Sequence, residues 1–157
     1  MCYLVLARIC ELIISNRNTK NLLKIGAKEY YNNHYKFLVL FHVIFISYFL
    51  IQSFSKTDIN YFLLQIFLFI QVLRFKIIFD LGKFWTTRII VLENKKLIKK
   101  GLYKYFKHPN YFVVYLEVFL ICLIFENYNA MIFFCPLNTV LLFIRIFYED
   151  RANKNRL

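Results

Sequence analysis

The residues whose types and spacing could do chemistry fall in two clusters. One is Gly101-Leu102-Tyr103-Lys104-Tyr105-Phe106-Lys107-His108-Pro109-Asn110-Tyr111, and the other is Arg145-x-x-x-Glu149-Asp150. Pro109 suits the first turn of a helix, where its missing N–H costs nothing and its fixed φ is already helical. The proline biases His108 toward extended geometry, which puts the imidazole at the lip of that helix. The free N–H groups of Asn110 to Phe112 and the positive end of the helix dipole then face any anion docked there. In the second cluster Arg145 and Glu149 project from one helical face. Amides, an imidazole, tyrosines, a guanidinium and two carboxylates would together hold a zwitterionic, cation-bearing ligand. Its carboxylate would meet the amides or Lys107, its ammonium Glu149, and a sulfonium would rest against tyrosine faces. Each cluster also has a plainer reading. The first alone is more often a helix start with snorkelling lysines and interfacial tyrosines, and Arg145 and Glu149 are equally able to pair with each other.

The elements that must position these residues are apolar and long. In a chain of 157 residues, 60% are hydrophobic and 20% aromatic, and they arrive in blocks rather than stripes. With that much apolar surface, the net charge of +12 reads as topology signals and contacts to anionic headgroups of a lipid bilayer, with no nucleic acid partner. The first apolar run is interrupted by Arg8 and Glu11 and lacks a small-residue cleavage site, so no cleavable signal peptide is expected. Cys2, Cys10, Cys122 and Cys135 have no C-x-x-C spacing, which points away from a metal site and toward small buried hydrophobes.

The expected fold class is all-α. It is a single membrane-embedded domain over residues 1–157, a polytopic helical bundle of about five spans at roughly 1–14, 35–54, 59–79, 110–125 and 130–148. Arg8 and Glu11 share a face that should pack inward if the first segment spans; an interfacial helix is the alternative. His42 reads as a packing histidine, Gln65 and Gln71 as the polar interior of the third span, and Thr86 to Leu92 as an extended stretch along the headgroups. Segments 15–36, 74–109 and 145–157 hold 5, 10 and 4 of the 21 Lys and Arg residues, whereas the opposite turns hold only Lys56. The positive-inside rule makes those three segments cytoplasmic and puts the N-terminus outside and the C-terminus in the cytoplasm. The two clusters then meet on one side, as the ends of a single antiparallel hairpin.

Gly101-x-Tyr103-x-x-x-Lys107-His108-Pro109-x-Tyr111, followed one hairpin later by Arg145-x-x-x-Glu149-Asp150, resembles the isoprenylcysteine carboxyl methyltransferase family, membrane enzymes that use S-adenosylmethionine. Similarity to its small bacterial members runs over nearly the whole chain. It includes Arg8-x-x-Glu11-Leu12, Ser15-x-Arg17-Asn18, Gly26-Ala27-x-Glu29, His34-Tyr35 and His42, then Leu81-Gly82-x-x-Trp85-Thr86-Thr87-Arg88.

The resemblance implies an integral membrane, S-adenosylmethionine-dependent O-methyltransferase without a Rossmann domain, its cofactor pocket at the last helical hairpin. Carried over by motif, Tyr103, His108, Pro109, Asn110, Tyr111 and Glu149 would contact the cofactor. Leu97 and Ile98, in the stretch from Lys95, would contribute mainly backbone. Arg145 would bind and orient the acceptor, and Arg145, Glu149 and His108 are the catalytic candidates. A carboxylate acceptor needs only alignment, whereas a hydroxyl needs His108 or Glu149 to take its proton. The expected acceptor is a lipophilic small molecule or a lipidated one, and the expected location is the bacterial inner membrane with the active site facing the cytoplasm. Lys107 stands where the family usually has arginine, Leu102 where small members often have proline, Asp150 for a second glutamate and Asn153 for a common leucine. One alternative is a non-catalytic membrane interaction protein derived from the family. A small transporter, the other, would carry polar residues near mid-depth rather than at one edge.

Overall fold

A computed structural model describes residues 1–55, 58, 60–93 and 95–154. Its five α-helices are α1 (Cys2–Lys24), α2 (Asn32–Ser53), α3 (Tyr61–Leu81), α4 (Pro109–Ile124) and α5 (Tyr128–Ala152). Two short strands, β1 (Lys28–Tyr30) and β2 (Ile89–Val91), pair antiparallel with Glu29 opposite Ile90. By length and composition, α2, α5 and α3 with its 3₁₀ extension to Phe84 can each cross a membrane. With the outward-facing Leu6, Ile13, Phe37, Phe79, Phe143 and Phe147, they describe an integral membrane protein whose apolar side chains face lipid as well as core. Among the described residues α1 and α4 fall short of that standard, α1 through its charges and α4 through its 16 residues. Lys56, the lone basic residue expected on the opposite side, lies outside the described residues.

The first helix runs ten residues past the expected end at Ile14. The cause is its inward face, where Leu4, Glu11, Ser15, Thr19 and Leu22 are buried on one stripe. Ser15 Oγ accepts from the Thr87 amide at 2.8 Å, and Asn18 Nδ2 donates to the carbonyls of Gly82 at 3.0 Å and Trp85 at 2.8 Å. Two stretches far apart in the chain, 15–18 and 82–87, are therefore one docked unit. Of the segment expected to lie extended, Ile89–Val91 forms β2 while Thr87 and Arg88 bend, and it is held by the protein: Ile89 and Val91 are buried.

A ladder of Phe41, Phe45 and Phe49 on α2 meets Phe134 of α5, with Phe45 and Phe134 rings 5.2 Å apart and edge to face. At one end of the bundle, Asn127 caps α5 through the Ala130 amide and donates to Tyr48 and Gln52 of α2. The α4–α5 hairpin is thus fixed at its turn, which leaves its other end to form a site.

Candidate functional site

Pro109 occupies the first turn of α4 and His108 caps it with φ −131° and ψ 57°. The α5 cluster lies directly across. Tyr111 donates its hydroxyl to Glu149 Oε2, and Arg145 Nε donates to the same hydroxyl at 3.1 Å. His108 Nε2 donates to Asp150 Oδ1 at 3.0 Å, and Lys107 Nζ lies 2.9 Å from that oxygen. Arg145 and Glu149 do not satisfy each other: the tyrosine stands between them. Arg145 Nη1 points at His34 Nε2, 3.0 Å away.

These groups wall a cavity of about 580 Å³. Leu97, Ile98, Tyr103, His108, Asn110, Tyr111, Arg145 and Glu149 all line it, and Pro109 is buried beneath as the first residue of α4. Gly101 opens the 3₁₀ turn that carries Tyr103. Its φ of +55° favours glycine, and a Cβ there would collide with the buried Asp80 carboxylate. Burial, reinforced by the Glu149 charge, raises the Tyr103 phenol above its ordinary range, so the ring presents itself as a neutral aromatic.

A second cavity of about 400 Å³ opens between α1 and α2, walled by Val5, Ile9, Leu12, Leu38, Val39, Val43, Ile46 and Leu50. Trp85, Thr86, Asn110, Tyr111 and Arg145 line both cavities. A polar chamber and an apolar one therefore share a wall, and Arg145 stands in it.

S-adenosylmethionine fits the larger chamber on three counts. The volume suits a ligand of that size. Tyrosine faces beside the Glu149 and Asp150 carboxylates suit a sulfonium and an ammonium. Asn110 Oδ1 is buried with no partner among the described residues, a hydrogen-bond acceptor waiting for a donor.

Beneath both chambers lies an ion network that the sequence shows only in part. Arg8 donates to Glu11 and to Glu117, each at 2.6 Å. Arg74 donates to Glu11 at 2.5 and 2.8 Å and to Glu117 at 3.0 Å, while Gln71 donates to Glu117 at 2.7 Å. Arg8 and Glu11 do face inward, as expected. Arg74, counted by charge with the cytoplasmic segment 74–109 although it falls within the expected 59–79 span, belongs to α3 and is buried; Gln71 is interior, but Gln65 faces outward. Glu117, buried in α4, sits in an apolar run, where a lone acid is itself a signal of an interior partner. His42 bonds the Leu38 carbonyl through Nδ1 at 2.8 Å and edges the apolar cavity.

A model of the isoprenylcysteine carboxyl methyltransferase (ICMT) family matches residues 62–154, which takes in both motif clusters and the whole α4–α5 hairpin. The chain belongs to the isoprenylcysteine carboxyl methyltransferase family. Membership in that family supports a membrane methyltransferase. Over 153 residues the chain is 35% identical to the uncharacterized protein YpbQ of Bacillus subtilis (strain 168), covering 95% of this chain and 91% of that one. An uncharacterized protein of Haemophilus influenzae (strain ATCC 51907 / DSM 11121 / KW20 / Rd) is 29% identical over 151 residues, 92% of this chain and 87% of its own. No solved structure matches significantly. The family match begins at α3, so α1, α2 and His34 lie outside it, although both curated relatives align across them.

Proposed function

We propose that the protein transfers a methyl group from S-adenosylmethionine to a carboxyl or hydroxyl oxygen of a lipophilic acceptor resident in the membrane. In this reading all five helices span, with the N-terminus outside and the α4–α5 tips in the cytoplasm, where the basic segments gather. The observation that carries it is the shared wall: one arginine reaches a polar chamber sized for the donor and an apolar one sized for an alkyl chain.

Bound S-adenosylmethionine supplies a methyl group on a positively charged sulfur. Tyr103 and Tyr111 offer ring faces to that charge, and Glu149 and Asp150 balance the ammonium. The α4 amides and Lys107 receive the carboxylate. Arg145 Nη2 aims the acceptor oxygen, and the apolar cavity holds its hydrocarbon body. In-line transfer from a sulfonium neutralises charge, so alignment in a water-poor wall supplies much of the acceleration. A carboxylate acceptor needs no base. A hydroxyl passes its proton to Glu149 or to Nδ1 of His108, the nitrogen left free when Nε2 donates to Asp150.

Calorimetry with S-adenosylhomocysteine tests the donor half: the folded protein should give a saturable heat, and none would sink the assignment. Mass spectrometry of host lipid extracts, with and without the protein, tests the acceptor half. A species gaining one CH₂ only when the protein is present is the expected result.

A further inference from the structure

We propose that His34, at the start of α2, is the positioning residue that aims Arg145, and that it does so only while its imidazole is neutral. Its consequence for turnover rests on the transferase function proposed above; its structural content does not.

Arg145 is 4% exposed and lies where the two cavities meet. Two of its three nitrogens are engaged. Nε donates to the Tyr111 hydroxyl, and Nη1 lies 3.0 Å from His34 Nε2. A guanidinium carries five donors, no acceptor, and stays charged in proteins. The contact therefore requires a lone pair on His34 Nε2, which places the ring proton on Nδ1. A doubly protonated ring would set N–H against N–H and cation against cation at hydrogen-bond distance. The guanidinium would have to turn away, and Nη2 with it.

The imidazole is held for this task. Its ring lies 5.1 Å from that of Tyr148, which stacks in turn on Tyr31 at 4.6 Å. Tyr31 is the N-cap of α2 in a left-handed conformation, φ 53°, so the chain turns sharply just before the histidine. Among the described residues no carboxylate makes a hydrogen bond or ion pair with His34 that could balance its charge. Glu149 on α5 takes the Tyr111 hydroxyl of α4, and Glu29 on β1 pairs with Arg88 at 3.2 Å. Arg8 and Glu11 on α1 are bound to each other and to Arg74 and Glu117. Tyr35 and Lys36 follow on α2 itself, and Lys36 would only add positive charge. The other two histidines meet oxygens, the Leu38 carbonyl and the Asp150 carboxylate; among the described residues, His34 alone meets an arginine.

Two measurements test this. In ¹⁵N-histidine-labelled protein in phosphatidylglycerol nanodiscs at neutral pH, His34 should show a protonated Nδ1 and a bare Nε2, and Arg145→Met should shift the Nε2 signal. A protonated Nε2, or a signal indifferent to Arg145→Met, overturns the proposal. The second follows transfer from tritiated S-adenosylmethionine into a host lipid extract. His34→Phe keeps a ring against Tyr148 but offers no acceptor, and should slow transfer roughly tenfold to a hundredfold, with S-adenosylhomocysteine affinity unchanged. His34→Gln can place Oε1 where Nε2 stood; it should recover most of the rate and lose the fall in activity that the parent shows on acidification. Equal rates for the Phe and Gln variants, or an unchanged pH profile in the Gln variant, count against His34. If the parent neither binds S-adenosylhomocysteine nor transfers label, the transferase function fails, and the nitrogen spectra still decide whether His34 aims Arg145.

Discussion

Replacing Glu117 by glutamine keeps the shape of the side chain and removes one negative charge from between Arg8 and Arg74. In the parent, Glu117 Oε2 accepts from Arg8 at 2.6 Å and from Arg74 at 3.0 Å, and Oε1 accepts from Gln71 at 2.7 Å. Two guanidinium and two carboxylate groups balance. After the substitution two cations share Glu11 alone, and an amide N–H₂ faces donors. Removing one partner from a buried pair costs about 3–5 kcal/mol, mostly from the charge left uncompensated. For a chain of this size each kcal/mol moves the unfolding midpoint by about 2–4 °C, so the variant should unfold roughly 6–20 °C lower. The single tryptophan, Trp85, is 3% exposed in the wall shared by the cavities, so its fluorescence on heating in detergent is a direct readout. Adding Arg8→Gln restores neutrality and leaves Arg74 on Glu11 through two bonds of 2.5 and 2.8 Å. The double variant should therefore be more stable than Glu117→Gln alone. A midpoint within about 2 °C of the parent for Glu117→Gln refutes the coupling, as does strict additivity of the two substitutions within about 0.5 kcal/mol.

Other outcomes follow from the same geometry. Glu149→Ala should lower S-adenosylhomocysteine affinity by about tenfold or more in calorimetry, the worth of a charge-assisted contact; unchanged affinity would make Glu149 purely structural. Arg145→Ala should keep that affinity within about threefold while transfer to lipid extract falls by roughly two orders of magnitude, and retained turnover would remove Arg145 from the acceptor's path. Gly101→Ala forces a side chain onto a φ of +55° and into Asp80, so it should cost about 1–3 kcal/mol in thermal unfolding and weaken cofactor binding. The neutral form of Tyr103 is favoured in the fold, chiefly by burial, so its contribution to stability is intact below the ordinary tyrosine range and is lost as pH rises beyond it. Alkaline unfolding of Tyr103→Phe should accordingly begin at higher pH than that of the parent.

What could be read from the sequence was whatever rests on local chemistry. The helix start at Pro109 follows from the proline itself, and α2 follows from an unbroken apolar run. The clusters around His108 and Glu149 could be placed at two ends of one hairpin because the turn between them is short. What could not be read depends on partners far along the chain. Residues 15–24 look like a polar loop, and they are helical because Ser15 and Asn18 dock on the 82–87 stretch. Arg74 counts by charge with the basic segment 74–109, and it is interior because Glu11 and Glu117 come from other helices to meet it. Pairing of 28–30 with 89–91 is a matter of register across sixty residues, which no local pattern sets. His34 was visible only as part of a motif, and its partner lies on the last helix.

The brevity of α4 bears on how an acceptor could arrive. Sixteen residues rise about 24 Å, several ångströms less than the roughly 30 Å of hydrocarbon in a typical bilayer, whereas its antiparallel neighbour α5 has 25 residues. In the proposed reading, where α4 spans, thinning of the lipid beside so short a helix would draw the headgroup plane down toward the end where Tyr111 and Arg145 sit. In the proposed orientation, an amphiphile diffusing in that leaflet would not need lifting out of its neighbours to react. The local thinning would deliver its head to the donor's depth.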